Sequence, residues 1–377
     1  MTVITQLEDL RTLARRKVPK AFFDYVESGS YEQRTLAANR HDLDAIPLEQ
    51  RVLAGVEHRS MQTSILGREC TLPVALAPTG LSGLIHPDGE IHACRAANAF
   101  GVPYTLSTVS ICSIEDVAEA TDRPFWFQLY VMRDRRFVEK LIHRAEAAGC
   151  DTLVLTVDLP VQGQRHADIR NGLSVPPKLT VRNALDIATK PTWALGMLRS
   201  KRRNFGNLEG HIDGMNDVKS MAEWTSRQYD PSLTWDDVRW VRSLWKGNLV
   251  IKGIMDARDA RQAADIDVQG IIVSNHGGRQ LDGCVSTAAA LPAIVDAVGE
   301  RVDVFVDGGV RSGSDVLKLM NRGAKAVFIG RAFLYGLGAM GGPGVTRVLE
   351  LIRDELSVTM ALTGRNSLDR RWDLIEH

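Results

Sequence analysis

Gly270-Ile271-Ile272-Val273-Ser274-Asn275-His276-Gly277-Gly278-Arg279-Gln280-Leu281-Asp282 begins apolar and ends polar. Its first four residues read as a strand buried on both faces. A histidine, two glycines and an arginine directly after such a strand make poor core material. The glycines let the backbone turn sharply and approach a ligand. The histidine takes up a proton near neutral pH, and the arginine offers a planar fork suited to a carboxylate. The combination points to an acid whose C–H or O–H bond is broken.

The same pattern recurs outward from this stretch. Short apolar runs, most of them β-branched, lie at 73–77, 102–107, 125–131, 152–158, 249–252, 270–274, 302–307 and 325–330. Amphipathic helical patterns separate them. Ser113 with Asp116, Thr234 with Asp237, and Ser312 with Asp315 read as capping boxes opening three of these helices. Alternating strands and helices predict an α/β fold, a (β/α)8 TIM barrel, with an open doubly wound sheet as the runner-up. Polar residues decide between them. Thr79, Ser107, Gln128, Tyr130, Asp158, Lys252, His276, Asp307 and Arg331 sit at strand C-terminal ends. A barrel gathers all such ends on one face, whereas an open sheet would spread them along an edge.

Two features depart from the barrel rhythm. A helical N-terminal extension is expected at residues 5–16 and 20–27, the second helix ending in a Ser28-Gly29 C-cap. A long insertion, 159–233, follows the fourth strand and exceeds the usual loop length. It contains Pro176-Pro177, then Trp193, Leu195, Met197 and Leu198, then Arg199, Lys201, Arg202 and Arg203. It reads either as a lid with a solvated face or, over 190–203, as a basic amphipathic membrane-surface contact. The whole of 1–377 is expected to form a single barrel domain.

Composition narrows the classes. Lys+Arg and Asp+Glu are both 46, so no global field favours nucleic acid. The five cysteines are scattered without C-x-x-C spacing, which argues against a zinc site and a disulfide frame; no metal is expected. No cleaved signal peptide and no transmembrane run are expected, and the location is read as cytoplasmic. Asp307-Gly308-Gly309-Val310-Arg311-Ser312-Gly313 follows a strand and opens a helix, and Phe328-Ile329-Gly330-Arg331 repeats the arrangement one strand later. Two such turns, each with an arginine, suit a phosphate. Their spacing is not that of a Rossmann dinucleotide site.

Ser274–Asp282, Pro78-Thr79-Gly80, Trp126-Phe127-Gln128-Leu129-Tyr130, Thr156-Val157-Asp158 and Asp307-Gly308-Gly309-Val310-Arg311 together resemble the FMN-dependent 2-hydroxyacid dehydrogenase/oxidase family. Ser107–Cys112 and Asp230-Pro231-Ser232 are most similar to its bacterial respiratory L-lactate dehydrogenases. The resemblance implies FMN as cofactor and a role for each matching position. His276 would be the catalytic base, with Asp158 orienting it and stabilising the imidazolium. Arg279 and Arg165 would clamp the substrate carboxylate, with Tyr25 and Tyr130 donating hydrogen bonds to the substrate. Lys252 would stand beside the flavin N1/C2=O edge and stabilise negative charge there. Thr79, Ser107, Gln128 and Thr156 would bind the isoalloxazine ring. Asp307 would bind ribityl hydroxyls; Gly309, Arg311, Gly330 and Arg331 would hold the phosphate.

The implied reaction converts an L-2-hydroxy acid to a 2-keto acid. L-Lactate is the first expectation; (S)-mandelate or a longer acid, or a glycolate/2-hydroxyacid oxidase using oxygen, are the alternatives. Gly80 is read as enlarging the pocket. Gly80 and Val109 stand where oxidase members commonly carry alanine and an aromatic residue. That favours a dehydrogenase passing electrons to a quinone or cytochrome, peripheral on the cytoplasmic face of the inner membrane. A homotetramer is implied by the resemblance alone.

Overall fold

The computed structural model describes residues 3–173, 180–209, 218–299 and 301–368; Pro176-Pro177 lies outside them. A short antiparallel hairpin, β1 (Thr63–Ile65) and β2 (Arg68–Cys70), precedes eight parallel strands. These are β3 (Val74–Leu76), β4 (Thr105–Ser107), β5 (Trp126–Leu129), β6 (Thr152–Thr156), β7 (Asn248–Ile254), β8 (Gly270–Val273), β9 (Asp303–Asp307) and β10 (Ala326–Ile329). They pair in sequence order, and β10 pairs back onto β3. A parallel bridge between Leu76 and Tyr104, with Leu76 N–H donating to Pro103 O at 2.9 Å, closes the ring between β3 and β4. The barrel is the predicted architecture; the open sheet is excluded.

Strand periodicity sorts the side chains. Residues facing out, such as Leu76, Phe127, Leu153, Ile251, Ile271, Val304 and Val327, pack under the surrounding helices. Those facing in, Ala75, Ala77, Trp126, Val154, Val250, Ile272, Phe305, Ala326 and Phe328, form a second core that Ile65 and Cys70 of the hairpin join. Small alanines of β3 and β10 share this core with the rings of Trp126, Phe305 and Phe328, whose centroids lie 5.8 Å apart in both pairs. Large beside small fills the interior, so the barrel is solid below its active face.

Local signals predict most helix starts. Thr234, Ser113 and Ser312 each form the expected capping box, and Asp134 accepts from Phe137 N–H to open Arg135–Ala147. The extension folds as Leu7–Lys17, Lys20–Glu27 and Arg34–Ala45. Gly29 departs from the C-cap expectation. Ser28 ends its helix in an extended conformation, and Gly29 is small for another reason: a Cβ there would stand 2.7 Å from Gly278 O. The extension is thus pressed directly onto the loop that carries His276. In the insertion, described helices are His166–Arg170, Val181–Ala188, Pro191–Arg199 and Val218–Gln228.

Candidate active site

Beyond the inward apolar residues, the period of two delivers the next inward position of every strand. Ala77, Thr105, Trp126, Val154, Val250, Ile272, Phe305 and Phe328 are followed two residues later by Thr79, Ser107, Gln128, Thr156, Lys252, Ser274, Asp307 and Gly330. A polar ring therefore caps the solid interior. Above it lies a cavity of about 650 Å³, within the usual size for a cofactor with a small substrate. Every site residue expected from the sequence lines this cavity except Gln128, Thr156 and Asp158. Those three stand in or beside the polar ring.

After β8 the backbone enters the left-handed region for three successive residues: His276 at φ 58°, Gly277 at 63° and Gly278 at 73°. Histidine tolerates this better than most residues, but it is a strained position for any side chain with a Cβ. Distant contacts hold it. Gly278 N–H donates to the Asn275 side chain, which pairs with Asn39 through two buried 2.8 Å hydrogen bonds. Gly278 O accepts from Ser30 N–H at 2.9 Å. His276 Nδ1 lies 2.9 Å from Asp158 Oδ1. The carboxylate selects the Nδ1–H tautomer, leaving Nε2 as a proton acceptor.

The electrostatics favour that neutral ring. Enclosure in the protein lowers the His276 pKa, Lys252 and Arg279 act in the same direction, and the opposing pull of Asp158 does not overcome them. Enclosure pushes the Asp158 carboxyl up, but His276 and Lys252 outweigh it and the group stays below its ordinary value. Enclosure likewise disfavours the Lys252 ammonium, yet Asp307 and Asp158 hold it above the usual lysine value. Lys252 Nζ donates to Ser274 Oγ at 2.8 Å and lies 3.3 Å from Asp307 Oδ2. Ser274 Oγ in turn donates to Asp307 Oδ2 at 2.8 Å. The Lys252 ammonium is thus a fixed positive group beneath the cavity.

Gly253 makes room for Asp158. It lies at a register shift in β7, has φ 113°, and a Cβ there would meet Asp158 Cβ at 2.6 Å and its backbone nitrogen at 2.9 Å. Gly253→Ala is expected to cost about 1–3 kcal/mol in stability and to move Asp158 off His276. Thermal unfolding together with turnover checks this; an unchanged melting point with full activity would contradict it.

The opposite wall is cationic. The Arg279 guanidinium stacks over the Tyr25 ring at 4.5 Å, and Arg165 approaches the same ring at 5.8 Å. One Arg279 nitrogen donates to the carbonyls of Tyr25 and Ser28. Arg165 lies 3.5 Å from Asp168 Oδ2, and its Nε is buried without a partner. Enclosure and the neighbouring Arg165 hold Arg279 below the ordinary arginine value. Two enclosed guanidiniums around one ring call for an anion.

Three buried polar atoms in the strand-end ring lack a partner: Gln128 Nε2, Thr156 Oγ1 and Asp307 Oδ1. Gln128 Oε1 already accepts from Ser107 Oγ and Thr108 N–H, which turns its amide donors the other way. Buried groups of this kind normally have partners. Two donors and one acceptor left open suit a flat ring with carbonyl oxygens and a hydroxylated tail. Thr79 Oγ1 shares a 2.8 Å contact with Ser82 Oγ.

The phosphate end differs from expectation in detail. Arg331 gives one N–H from each of its three nitrogens to the carbonyls of Val26, Gly277 and Ser28, tying the extension to the His276 loop, and has two N–H groups beyond these. Gly308 and Gly309 are small because Thr287 Oγ1 and Asn39 O would lie 2.6 and 2.3 Å from added Cβ atoms. Arg311 keeps one nitrogen on Val310 O and lies 5.4 Å over the Tyr335 ring. The start of helix Arg331–Met340, after Gly330, opens on the same cavity, and its first N–H groups have no intrahelical acceptors. Gly80 also corrects the sequence reading. A Cβ there would stand 2.8 Å from Val109 Cγ2, so Val109 already fills the space that the glycine leaves.

The profile of the FMN-dependent dehydrogenases matches residues 14–373. The chain belongs to that family. Among curated relatives of this FMN-dependent dehydrogenase, an L-lactate dehydrogenase of Caulobacter sp. (strain K31) is 48% identical, covering 98% of this chain and 97% of its own. One from Pseudomonas aeruginosa (strain LESB58) is 46% identical, covering 97% and 96%. Among solved structures, the monotopic membrane protein (S)-mandelate dehydrogenase superposes with a TM-score of 0.93 at 36% identity over 97% of both chains. A mandelate oxidase gives 0.82 at 38%, covering 97% and 96%. The dehydrogenase therefore uses FMN, and the open polar atoms of the ring fit that group.

Ser274, Gly253, Gln280 and Asn39 were not singled out from the sequence. Gln280 Nε2 donates to the carbonyls of Asp158 and Val161. The period of two would have found Ser274; nothing local announces the other three.

Proposed function

We propose that this dehydrogenase oxidises L-lactate to pyruvate, with His276 as the base. The observation that carries this reading is His276, paired with Asp158 behind it, sharing one cavity with Arg279, Tyr25 and Arg165. Arg279 and Arg165 hold the substrate carboxylate, and Tyr25 and Tyr130 donate to its oxygens. His276 Nε2 takes the proton, and Asp158 stabilises the imidazolium formed. FMN, when bound, accepts the two electrons. Lys252 supplies positive charge toward the flavin ring, and Thr79, Ser107, Gln128 and Thr156 fix that ring. Asp307 Oδ1 takes a ribityl hydroxyl. Arg311, Gly309 and the helix start at Gly330 and Arg331 hold the phosphate, while the Arg331 side chain braces the loop. Curated relatives named L-lactate dehydrogenase support a short acid, and so does Val109 closing the space at Gly80.

L-Lactate added without air should bleach the yellow holoenzyme, and D-lactate should not. A dye-reduction panel of 2-hydroxy acids should rank L-lactate first. No bleaching by any 2-hydroxy acid would overturn the reading; mandelate ranking first would replace the substrate.

The base must be neutral in the free enzyme, so kcat/KM should rise with pH through the His276 pKa and stay level above it. That pKa is lowered from the ordinary 6.5. The acid limb of the profile is therefore expected below pH 6.5, with full activity at neutrality. A limb centred above 6.5 would contradict the assignment.

A membrane-side acceptor, quinone or cytochrome, is part of the proposal. No described helix is long and apolar enough to cross a membrane. Val181, Leu185, Leu195 and Leu198 are exposed on Val181–Ala188 and Pro191–Arg199, beside exposed Arg199 and Lys201, which supports a peripheral contact. Parts of the basic stretch do other work. Arg202 pairs with Asp88 and Asp116, and Trp193 stacks on Phe22 at 5.4 Å, docking its helix on the extension. Activity should sediment with membranes and be released by detergent; wholly soluble activity at low salt would sink the contact. A homotetramer at the cytoplasmic face completes the proposal, supported by family membership alone.

A further inference from the structure

The carboxylate clamp, the base and the strand-end ring account for three sides of the cavity. A further wall comes from the insertion's return. There helix Val218–Gln228 delivers Tyr229 to the cavity wall, with Ala222, Thr225 and Ser226 on the same surface. Tyr229 is pinned to the exit of β5, the strand that leads into Tyr130. It forms an antiparallel bridge with Met132. Arg133 N–H donates to Gln228 O at 2.9 Å, Asp134 N–H to the Gln228 side chain at 2.9 Å, and Arg133 Nε to Tyr229 O at 3.2 Å. Arg135 bonds Asp230 and Asp237 immediately afterwards. These ties fix the backbone of Tyr229. The Tyr229 hydroxyl has no hydrogen-bond partner among the described residues. Its ring stands edge-on to Tyr130, with centroids 6.0 Å apart and planes at 87°.

An acid held by its carboxylate at Arg279 and Arg165, with C2 toward His276 and the polar ring beneath, turns its 2-substituent to the remaining walls of the cavity, of which Val109 is one and Tyr229 another. Of these walls the insertion's is the bulkiest beside Tyr130, because it presents the Tyr229 ring. We propose that Tyr229 is the specificity-determining residue of this enzyme, its ring setting how large a 2-substituent is accepted. This rests on the 2-hydroxy acid reading above and names the residue that limits the substrate class to short acids. The bridge and the Arg133 bond fix the backbone that carries the ring, so the wall cannot retreat as a free loop would, and Tyr130 packs against one edge of the ring.

The test is the ratio of kcat/KM for 2-hydroxyoctanoate to that for L-lactate, by anaerobic dye reduction with the holoenzyme. Tyr229→Ala should raise this ratio by about tenfold or more, the scale of discrimination by pocket size, mainly through the KM of the longer acid. Tyr229→Phe, which keeps the ring, should leave it within about twofold. Tyr229→Leu and Tyr229→Trp should shift it in opposite directions, up and down, and they carry the test should the alanine variant fail to bind FMN. A ratio unmoved by alanine in a protein with full FMN content, leucine and tryptophan moving it together, or phenylalanine reproducing the alanine effect would each overturn the proposal. A merely structural tyrosine would depress both acids alike. Wild-type protein inert toward every 2-hydroxy acid would refute the function reading instead, so the two failures are distinguishable.

Discussion

Replacing His276 by glutamine should lower turnover about 10²–10⁴-fold, the usual contribution of a positioned base, while the protein stays yellow. The side chain touches Asp158 through Nδ1 and offers Nε2 to the cavity. Glutamine can still donate to Asp158, but its carbonyl is far too weak a base to take the substrate proton. The positions proposed to bind FMN lie on other strands, so cofactor content should hold. The left-handed φ of 58° complicates a single substitution, because glutamine tolerates it less well than asparagine. His276→Asn therefore serves as a partner: backbone strain would separate the two variants, whereas loss of the base affects both. Rapid-mixing reduction of the flavin by L-lactate, with FMN content from absorbance, makes the measurement. Full activity in either variant would remove His276 from its role.

Arg279→Lys should weaken binding of the acid by about 2–5 kcal/mol, or roughly 30- to 5,000-fold. The guanidinium does three things at once. It stacks on Tyr25, caps the carbonyls of Tyr25 and Ser28 through one nitrogen, and keeps its remaining donors for an anion. An ammonium is a point charge without a fork and cannot replace all three. Arg165, on the other side of Tyr25, retains some affinity, which keeps the loss from being total. Titration with oxalate or pyruvate, followed through the flavin spectrum, reports equilibrium binding apart from turnover. An unchanged saturation curve would place the carboxylate elsewhere.

Much of the site was legible because the barrel converts position along a strand into position in space. Gln128, Thr156, Lys252 and Asp307 sit two residues past an inward core residue, and period two alone puts them on the rim. Ser274 obeys the same rule. The bracing role of Arg331 was not legible: its side chain bonds three carbonyls, two from the N-terminal extension. No local pattern predicts that extension's path across the barrel mouth. The Gly80 reading failed for the same reason, since Val109 reaches it from the next strand's loop.

Local chemistry, written in the order of residues, determined the strand and helix alternation, the capping boxes and the placement of a base, a fork and two anion turns at strand ends. It could do so because hydrophobic period and cap geometry act over a few residues. Only the closed ring decided which polar atoms were left open for a cofactor, that Tyr25 lies between two guanidiniums, that Gly253 yields space to Asp158 and that Tyr229 forms a wall. Each of these joins segments far apart in the chain. Their distance and orientation follow from how eight strands close and how the extension and insertion pack on the rim, which no short stretch of sequence encodes.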